Sequence, residues 1–424
     1  MPKYKFATKK KREPSVTRIM LLIGALVVIA YFGAQWYTGR MAAGVDTAQA
    51  TASFQEQTAE IQARMSAGEY AQARDLLQPL VSAPSAPLDI VLLQAQAEQE
   101  LGNQQEALKL LERAVKDYTN DPQHPAAAAR YAKLLEASGA AKEAIEIYKD
   151  INENAPPEHR AAAIVGLARD AQRAGDLEEA RTLLHKALAD AAWRSPAWED
   201  AVDILGEVNV ALIFAVGSTS DSKTYSVESG DNLTDIGIKL NTTLGLLMRA
   251  NNIDDPGRLH LGQNLKYTPK DFRIVIERST CQLFLMDNDG IFKRYQVGLG
   301  MPGYETTPGK YKIGNKQKDP TWHKPGAEAI PPNDPRNELG TRWMPLVPTE
   351  EGLPTDLGIH GTIAPETIGK FESHGCARLL KEDVEELYDL VVRSTPVEIV
   401  EIWQPTGTGE ARYIEAANVP DEAA

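Results

Sequence analysis

The residues best equipped for chemistry fall in two short blocks, Ile359-His360-Gly361 and Ser373-His374-Gly375-Cys376-Ala377-Arg378. They set Cys376, one of only two cysteines, inside a tight His-Gly-Cys turn. A thiol nucleophile needs a base to take its proton, a backbone that lets a carbonyl approach, and donors for the oxyanion that follows. His360 lies upstream at the end of an apolar run, and these blocks could supply all three. Two other readings use the same residue types. Buried histidine and cysteine are ordinary core residues. His360, His374 and Cys376 also make a three-ligand set that would leave zinc one open position. No acid stands at a spacing suited to activating a metal-bound water, and there is no Cys-x-x-Cys, so no metal is expected.

The elements that must hold these blocks are mostly strands. Phe272 to Ile276 alternates, and Cys281 to Met286 reads as a second strand, with Cys281 a small strand residue. Asp287-Asn288-Asp289-Gly290 is a hairpin turn signal, and Ile291 to Val297 returns. Further strands fit Lys310–Ile313, Trp343–Val347, Asp356–His360 and Val397–Ile402. A helix fits Lys381–Arg393, with Val384, Leu387, Tyr388 and Val391 on one face. The stretch from Gln317 to Arg342 is too long for an ordinary connection. It reads as a lid or substrate wall, or else as a tolerated surface insertion.

Phe272 to Trp403 resembles the L,D-transpeptidase (YkuD) catalytic domain. Thr307-Pro308-Gly309-Lys310-Tyr311, Leu339-Gly340, Ile359-His360-Gly361 and Ser373-His374-Gly375-Cys376-Ala377-Arg378-Leu379 fall in family order. One departure is Lys381, where many members carry Asn. The resemblance implies that Cys376 attacks a stem-peptide carbonyl of peptidoglycan and forms a thioester. His360 would be the base, its ring oriented by the Gly361 carbonyl. His374 would shape the pocket, and the N–H groups of Gly375 and Cys376 would face the oxyanion. Arg378 would pair with a substrate carboxylate or hold the loop. Ser373, Tyr304, Trp322 and Trp343 are the other candidate substrate contacts. No cofactor is implied. The acceptor amine of cross-linking or protein attachment competes with water, which would make the enzyme an L,D-carboxypeptidase. A non-catalytic wall-binding scaffold is a third reading.

Upstream, Tyr225-Ser226-Val227-Glu228-Ser229-Gly230-Asp231-Asn232-Leu233 continues through Asn251-Asn252-Ile253 and Leu261-Gly262-Gln263-Asn264-Leu265. This resembles a LysM domain over 223–269, a βααβ module that binds N-acetylglucosamine glycans. The resemblance puts Gly230, Asp231, Asn232, Asn251, Asn252 and Ile253 beside the sugar groove. Residues 217–223 read as a Ser/Thr-rich linker. From 51 to 210 the chain is helical by composition, and Gly68, Gly102, Gly139 and Gly175 recur, each followed five residues on by alanine. The period, roughly 34–37 residues, resembles tetratricopeptide repeats, although their large aromatic positions are mostly missing. Such an array is either a spacer or a platform for a protein partner.

The formal net charge is −14, which argues against general affinity for nucleic acid. The exception is the basic stretch 1–18, which precedes the uncharged apolar run Ile19–Gly39. At the helical rise that run spans ~30 Å, the thickness of a bilayer core. The expectation is a cytoplasmic tail (1–18), a single transmembrane helix (19–39) and an extracytoplasmic remainder. A signal peptide cleaved near Ala48-Gln49-Ala50 is the rival. The expected fold is therefore multidomain: an N-terminal transmembrane helix, all-α tetratricopeptide-like repeats (51–210), a βααβ LysM module (223–269), a mainly-β catalytic domain (270–403) and a flexible tail (404–424).

Overall fold

The computed structural model describes residues 47–83, 86–323 and 328–404. The proposed basic tail and membrane span, and nearly all of the proposed C-terminal tail, lie outside them. No helix among the described residues is long and apolar enough to cross a membrane. The chain divides into two compact units, before and after Ala155.

The first unit is helical: α1 (Thr47–Ser66), α2 (Tyr70–Val81), α3 (Leu88–Glu100), α4 (Gln104–Asp117), α5 (His124–Ala137) and α6 (Ala141–Asn154). Gly68, Gly102 and Gly139 each take positive φ between consecutive helices. That conformation ends a helix and is open to glycine without steric cost. Ala73, Ala107 and Ala144 are buried on the helices that follow, where a methyl group lets neighbours approach. Leu77, Ile90, Val91 and Leu111 fill the core between the helices.

The second unit opens with α7 (Pro157–Ala174), α8 (Leu177–Asp190) and α9 (Pro196–Phe214). Ser195 caps α9, accepting from the Trp198 N–H, with Pro196 in the first turn. One face of α9 packs Leu205 and Val208 against Ile164 and Leu184. Another face puts Trp198 and Val202 against Phe284 and Trp403 of the β-domain. Asn209 donates to Phe292 O at 2.9 Å, and Arg294 pairs with Glu199 and Asp203. The helix at the end of the 51–210 segment is thus built into the β-domain rather than spacing it off.

The next segment is the βααβ module: β1 (Lys223–Ser226), α10 (Leu233–Lys239), α11 (Leu244–Ala250) and β2 (Asn264–Tyr267), with β1 antiparallel to β2. The connection before it is no free linker. Ser220 bonds Glu178, and Asp221 pairs with Arg181 and Lys270. The module itself is fastened down. Lys266 Nζ donates to Leu212 O (3.0 Å) and Ala215 O (2.6 Å) at the end of α9. Arg249 stacks over Phe214 at 3.4 Å.

The β-domain holds β3 (Arg273–Glu277), β4 (Gln282–Asp287), β5 (Gly290–Gln296), β6 (Leu299–Gly300), β7 (Gly309–Ile313), β8 (Gln317–Lys318), β9 (Arg342–Pro348), β10 (Gly358–His360), β11 (Phe371–Ser373), β12 (Ala377–Arg378), α12 (Lys381–Leu390) and β13 (Pro396–Val400). The main sheet runs β12-β10-β9-β7-β13-β3-β4-β5, with β8 also on β9. Two expectations change here. Cys281 is not in a strand: it has φ +51° in the turn before β4, with its thiol buried. Helix α12 stops at Leu390, short of Arg393, where Val391 turns extended. Lys316 Nζ donates to the freed Tyr388 and Val391 carbonyls at 2.5 Å each, a cation on a helix C-terminus.

Candidate active site

His360 ends β10, and Cys376 immediately precedes β12, its parallel neighbour. The register pairs Ile359 with Ala377 and His360 with Arg378. Register partners share a face, so Arg378 and His360 lie on one side of the sheet, and Cys376 sits in the bend just before β12. Burial sets the state of both candidate groups. His360 is 4% exposed, and desolvation pushes its imidazole down to about 4, against upward pulls from the Gly361 and Glu338 carbonyls. Nδ1 lies 2.6 Å from Gly361 O. Donation there leaves Nε2 as the proton acceptor.

Cys376 is half-buried. Desolvation pushes its thiol up to about 11, with the Gly358 N–H pulling the other way. Its Sγ contact is Asp356 O at 3.8 Å. Thiol and imidazole are both neutral at rest, which suits proton transfer during attack rather than a standing thiolate.

The nucleophile turn is tied from inside. Gly375 has φ +107°, and a Cβ there would lie 3.0 Å from Leu357. Its N–H, expected to face the oxyanion, instead donates to Ser373 Oγ at 3.2 Å. No acceptor for the Cys376 N–H is found among the described residues. Ser373, expected at the substrate surface, is 1% exposed, and its hydroxyl donates to Cys376 O at 2.7 Å. The reason is the tight turn: a buried N–H and carbonyl need partners, and the short Ser side chain is the nearest. Thr306, also 1% exposed, donates to Gly375 O at 2.8 Å and accepts from Gly300 N–H at 2.9 Å. Thr306 stands one residue before the Thr-Pro-Gly block read from sequence, and nothing in its own type pointed to this bridge.

The remaining candidates divide. His374 is exposed, edge-on to Tyr304 at 4.9 Å, and Tyr304 is 56% exposed. Trp343 is His360's register partner on β9, its ring 5.8 Å from the imidazole. A Cβ on Gly358 would strike that ring, so glycine there lets the indole lie over β10. Gly361 is packed against Val384 and Leu339 O. Arg378 pairs with Glu338 at 3.3 Å, joining the nucleophile strand to the long loop. That loop is organised around Asn337, a buried amide donating to Pro320 O and Pro331 O. Trp322 bridges Ile330 within it. Among the described residues no group of three or more His, Cys, Asp or Glu is placed to hold a metal ion.

In the βααβ module, three of the expected sugar contacts have polar groups bonded to other groups of the module. Asp231 accepts from Tyr225 OH (2.7 Å) and Glu228 N (2.8 Å). Asn232 caps α10. Asn251 donates to Leu247 O and Lys266 O and accepts from Lys266 N. Ile253 packs on the module's core. Gly230 and Asn252, both at positive φ, remain on the exposed surface.

The family model of the L,D-transpeptidase catalytic domain matches residues 271–399, that of the LysM domain 225–268, and that of a tetratricopeptide repeat 98–168. YkuD of Bacillus subtilis is 30% identical over 184 residues, covering 42% of this chain and 98% of that protein. YkuD of Bacillus licheniformis is 29% identical over 181 residues, covering 41% of this chain and 97% of that protein. Both are named for the same activity. A solved L,D-transpeptidase from Mycobacterium smegmatis aligns at 13% identity and TM-score 0.25, over 32% of this chain and 63% of that one, so the chain spans less than two thirds of it. The chain belongs to the L,D-transpeptidase family.

Proposed function

We propose that the chain transfers a peptidoglycan stem peptide through a thioester on Cys376. The observation that carries this reading is the β10–β12 pair, which brings the strand ending in His360 beside the strand that follows Cys376, with Nδ1 of the imidazole occupied by Gly361 O. His360 Nε2 takes the thiol proton as sulfur attacks the carbonyl of the third stem residue. The oxyanion is received by the Cys376 N–H. Collapse breaks the amide bond, and the imidazolium returns its proton to the departing terminal D-amino acid. An amine from a second stem, or from a wall-linked protein, then attacks the thioester, loses its proton to His360 and releases the thiol. The lid loop, joined to β12 by Arg378 and Glu338, keeps water from competing. Exposed Tyr304 and His374 border the entrance. The membrane anchor at 19–39 and the extracytoplasmic setting belong to this reading, because the polymer lies outside the membrane. So does a protein partner on the helical repeats.

The test is incubation of the full chain with a disaccharide-tetrapeptide. Cross-linked dimers are expected in wild type and none with Cys376→Ala. Release of tripeptide without dimers would replace the amine by water and make the enzyme a carboxypeptidase. A carbapenem, which acylates such thiols, should add its mass to wild type alone. No adduct on wild type, with wall binding retained, would leave only a scaffold.

A further inference from the structure

A groove of about 1270 Å³ among the described residues does not contain Cys376. It lies between the βααβ module and the β-domain. Five cationic side chains line it (Arg249, Lys316, Lys318, Arg342 and Arg393) against two acidic ones, Asp254 and Asp389. A basic groove on a chain of net charge −14 is a local inversion of sign, which concentrates anionic ligands.

The five cations are not equivalent. Arg249 faces Asp389 at 3.4 Å, Arg342 faces Glu385 at 3.5 Å, and Lys316 is spent on helix carbonyls. Lys318 and Arg393 are exposed and have no ion-pair partner among the described residues. The groove also has apolar surface: Ile238 of α10 is 76% exposed, and Met248 of α11 and Tyr388 of α12 are half-buried. The groove also takes in Asn252 and Ile253, from the loop already read as a sugar contact. It is separate from the acyl site. Arg342 and Trp343 are consecutive on β9 and so face opposite sides; Trp343 lies by His360, whereas Arg342 meets α12. The walls are preset, because Lys266 and Thr243 fix the module to α9 and to the end of α12.

We propose that this groove is a second peptidoglycan site, holding a glycan segment whose stem carboxylates rest on Lys318 and Arg393 while its sugars meet the module's loop. The proposal rests on peptidoglycan being the substrate. A chain held there is presented to the enzyme before its stem enters the acyl site.

The test measures binding by the full chain of two probes: soluble disaccharide-tetrapeptide oligomers, which carry carboxylates, and chitopentaose, which carries none. With Lys318→Glu and Arg393→Glu combined, affinity for the first should fall about tenfold at low salt, while chitopentaose binding and carbapenem acylation stay as in wild type. The neutral pair Lys318→Gln and Arg393→Gln should give a smaller loss with an unchanged melting temperature. Wild-type affinity for the charged probe should weaken as salt is raised. Unchanged affinity in the Glu pair, or an equal loss for both probes, would overturn the proposal. Loss of charged-probe binding in a chain that forms no carbapenem adduct would sustain this site while removing the thioester reading.

Discussion

His360 and Arg378 are register partners across a parallel strand pair, and Cys376 stands two residues before Arg378, in the bend that leads into β12. One backbone ladder therefore places base, thiol and guanidinium together. Arg378 contributes electrostatically as well, since its charge lowers the pKa of both reacting groups.

The imidazole carries a pH signature. Burial holds His360 down to about 4, against 6.5 for an exposed ring. Between these values the unfolded chain binds the extra proton and the folded chain does not. Stability from this group is full above pH 6.5 and is lost as pH falls toward 4, by about 3 kcal/mol over the window. Melting curves of wild type and His360→Gln across pH 4–7 should converge as acid is added. Parallel curves would show that His360 does not titrate in this way.

Thr306 is expected to hold the nucleophile turn. Thr306→Val removes the hydroxyl between Gly300 N–H and Gly375 O and leaves two buried backbone groups without it. The cost should be about 1–3 kcal/mol. Carbapenem acylation should slow because Gly375 sets the position of Cys376, and Thr306→Ser should restore both properties. Unaltered acylation in the Val variant would mean the turn is held by Ser373 alone.

Lys266 should govern attachment of the βααβ module. Burial lowers its pKa, yet its ammonium caps two carbonyls at the end of α9. Lys266→Met keeps the aliphatic stem and deletes the donors, at about 1.5–3 kcal/mol for charge-assisted bonds. Limited proteolysis should then cut within 217–223, where wild type resists. Equal resistance would assign the fastening to Thr243 and Arg249.

Much of the active-site layout was readable from residue order. A His-Gly pair ending an apolar run and a Ser-His-Gly-Cys turn carry their chemistry in residue type, and the Asp287–Gly290 turn and the helix-ending glycines carry their backbone geometry in the same way. Which polar side chains bond within the fold was not readable. Ser373, Asp231, Asn232 and Asn251 look like ligand contacts because they are polar and near motifs, but each has its side chain bonded to a backbone group nearby in the fold. Cys281 looked like a strand residue because the apolar run Leu283–Met286 follows it closely.

The amino-acid order by itself carried the order of repeats, LysM module and catalytic domain and the candidate pair Cys376 and His360, because local turns and periodicity depend on residues close in the chain. Tertiary structure alone decided that α9 serves the β-domain, that Thr306 secures a turn 69 residues away, and that Lys318 and Arg393 share a groove with the βααβ module. These are long-range pairings chosen by burial and hydrogen-bond satisfaction, and neither leaves a periodic mark on the chain.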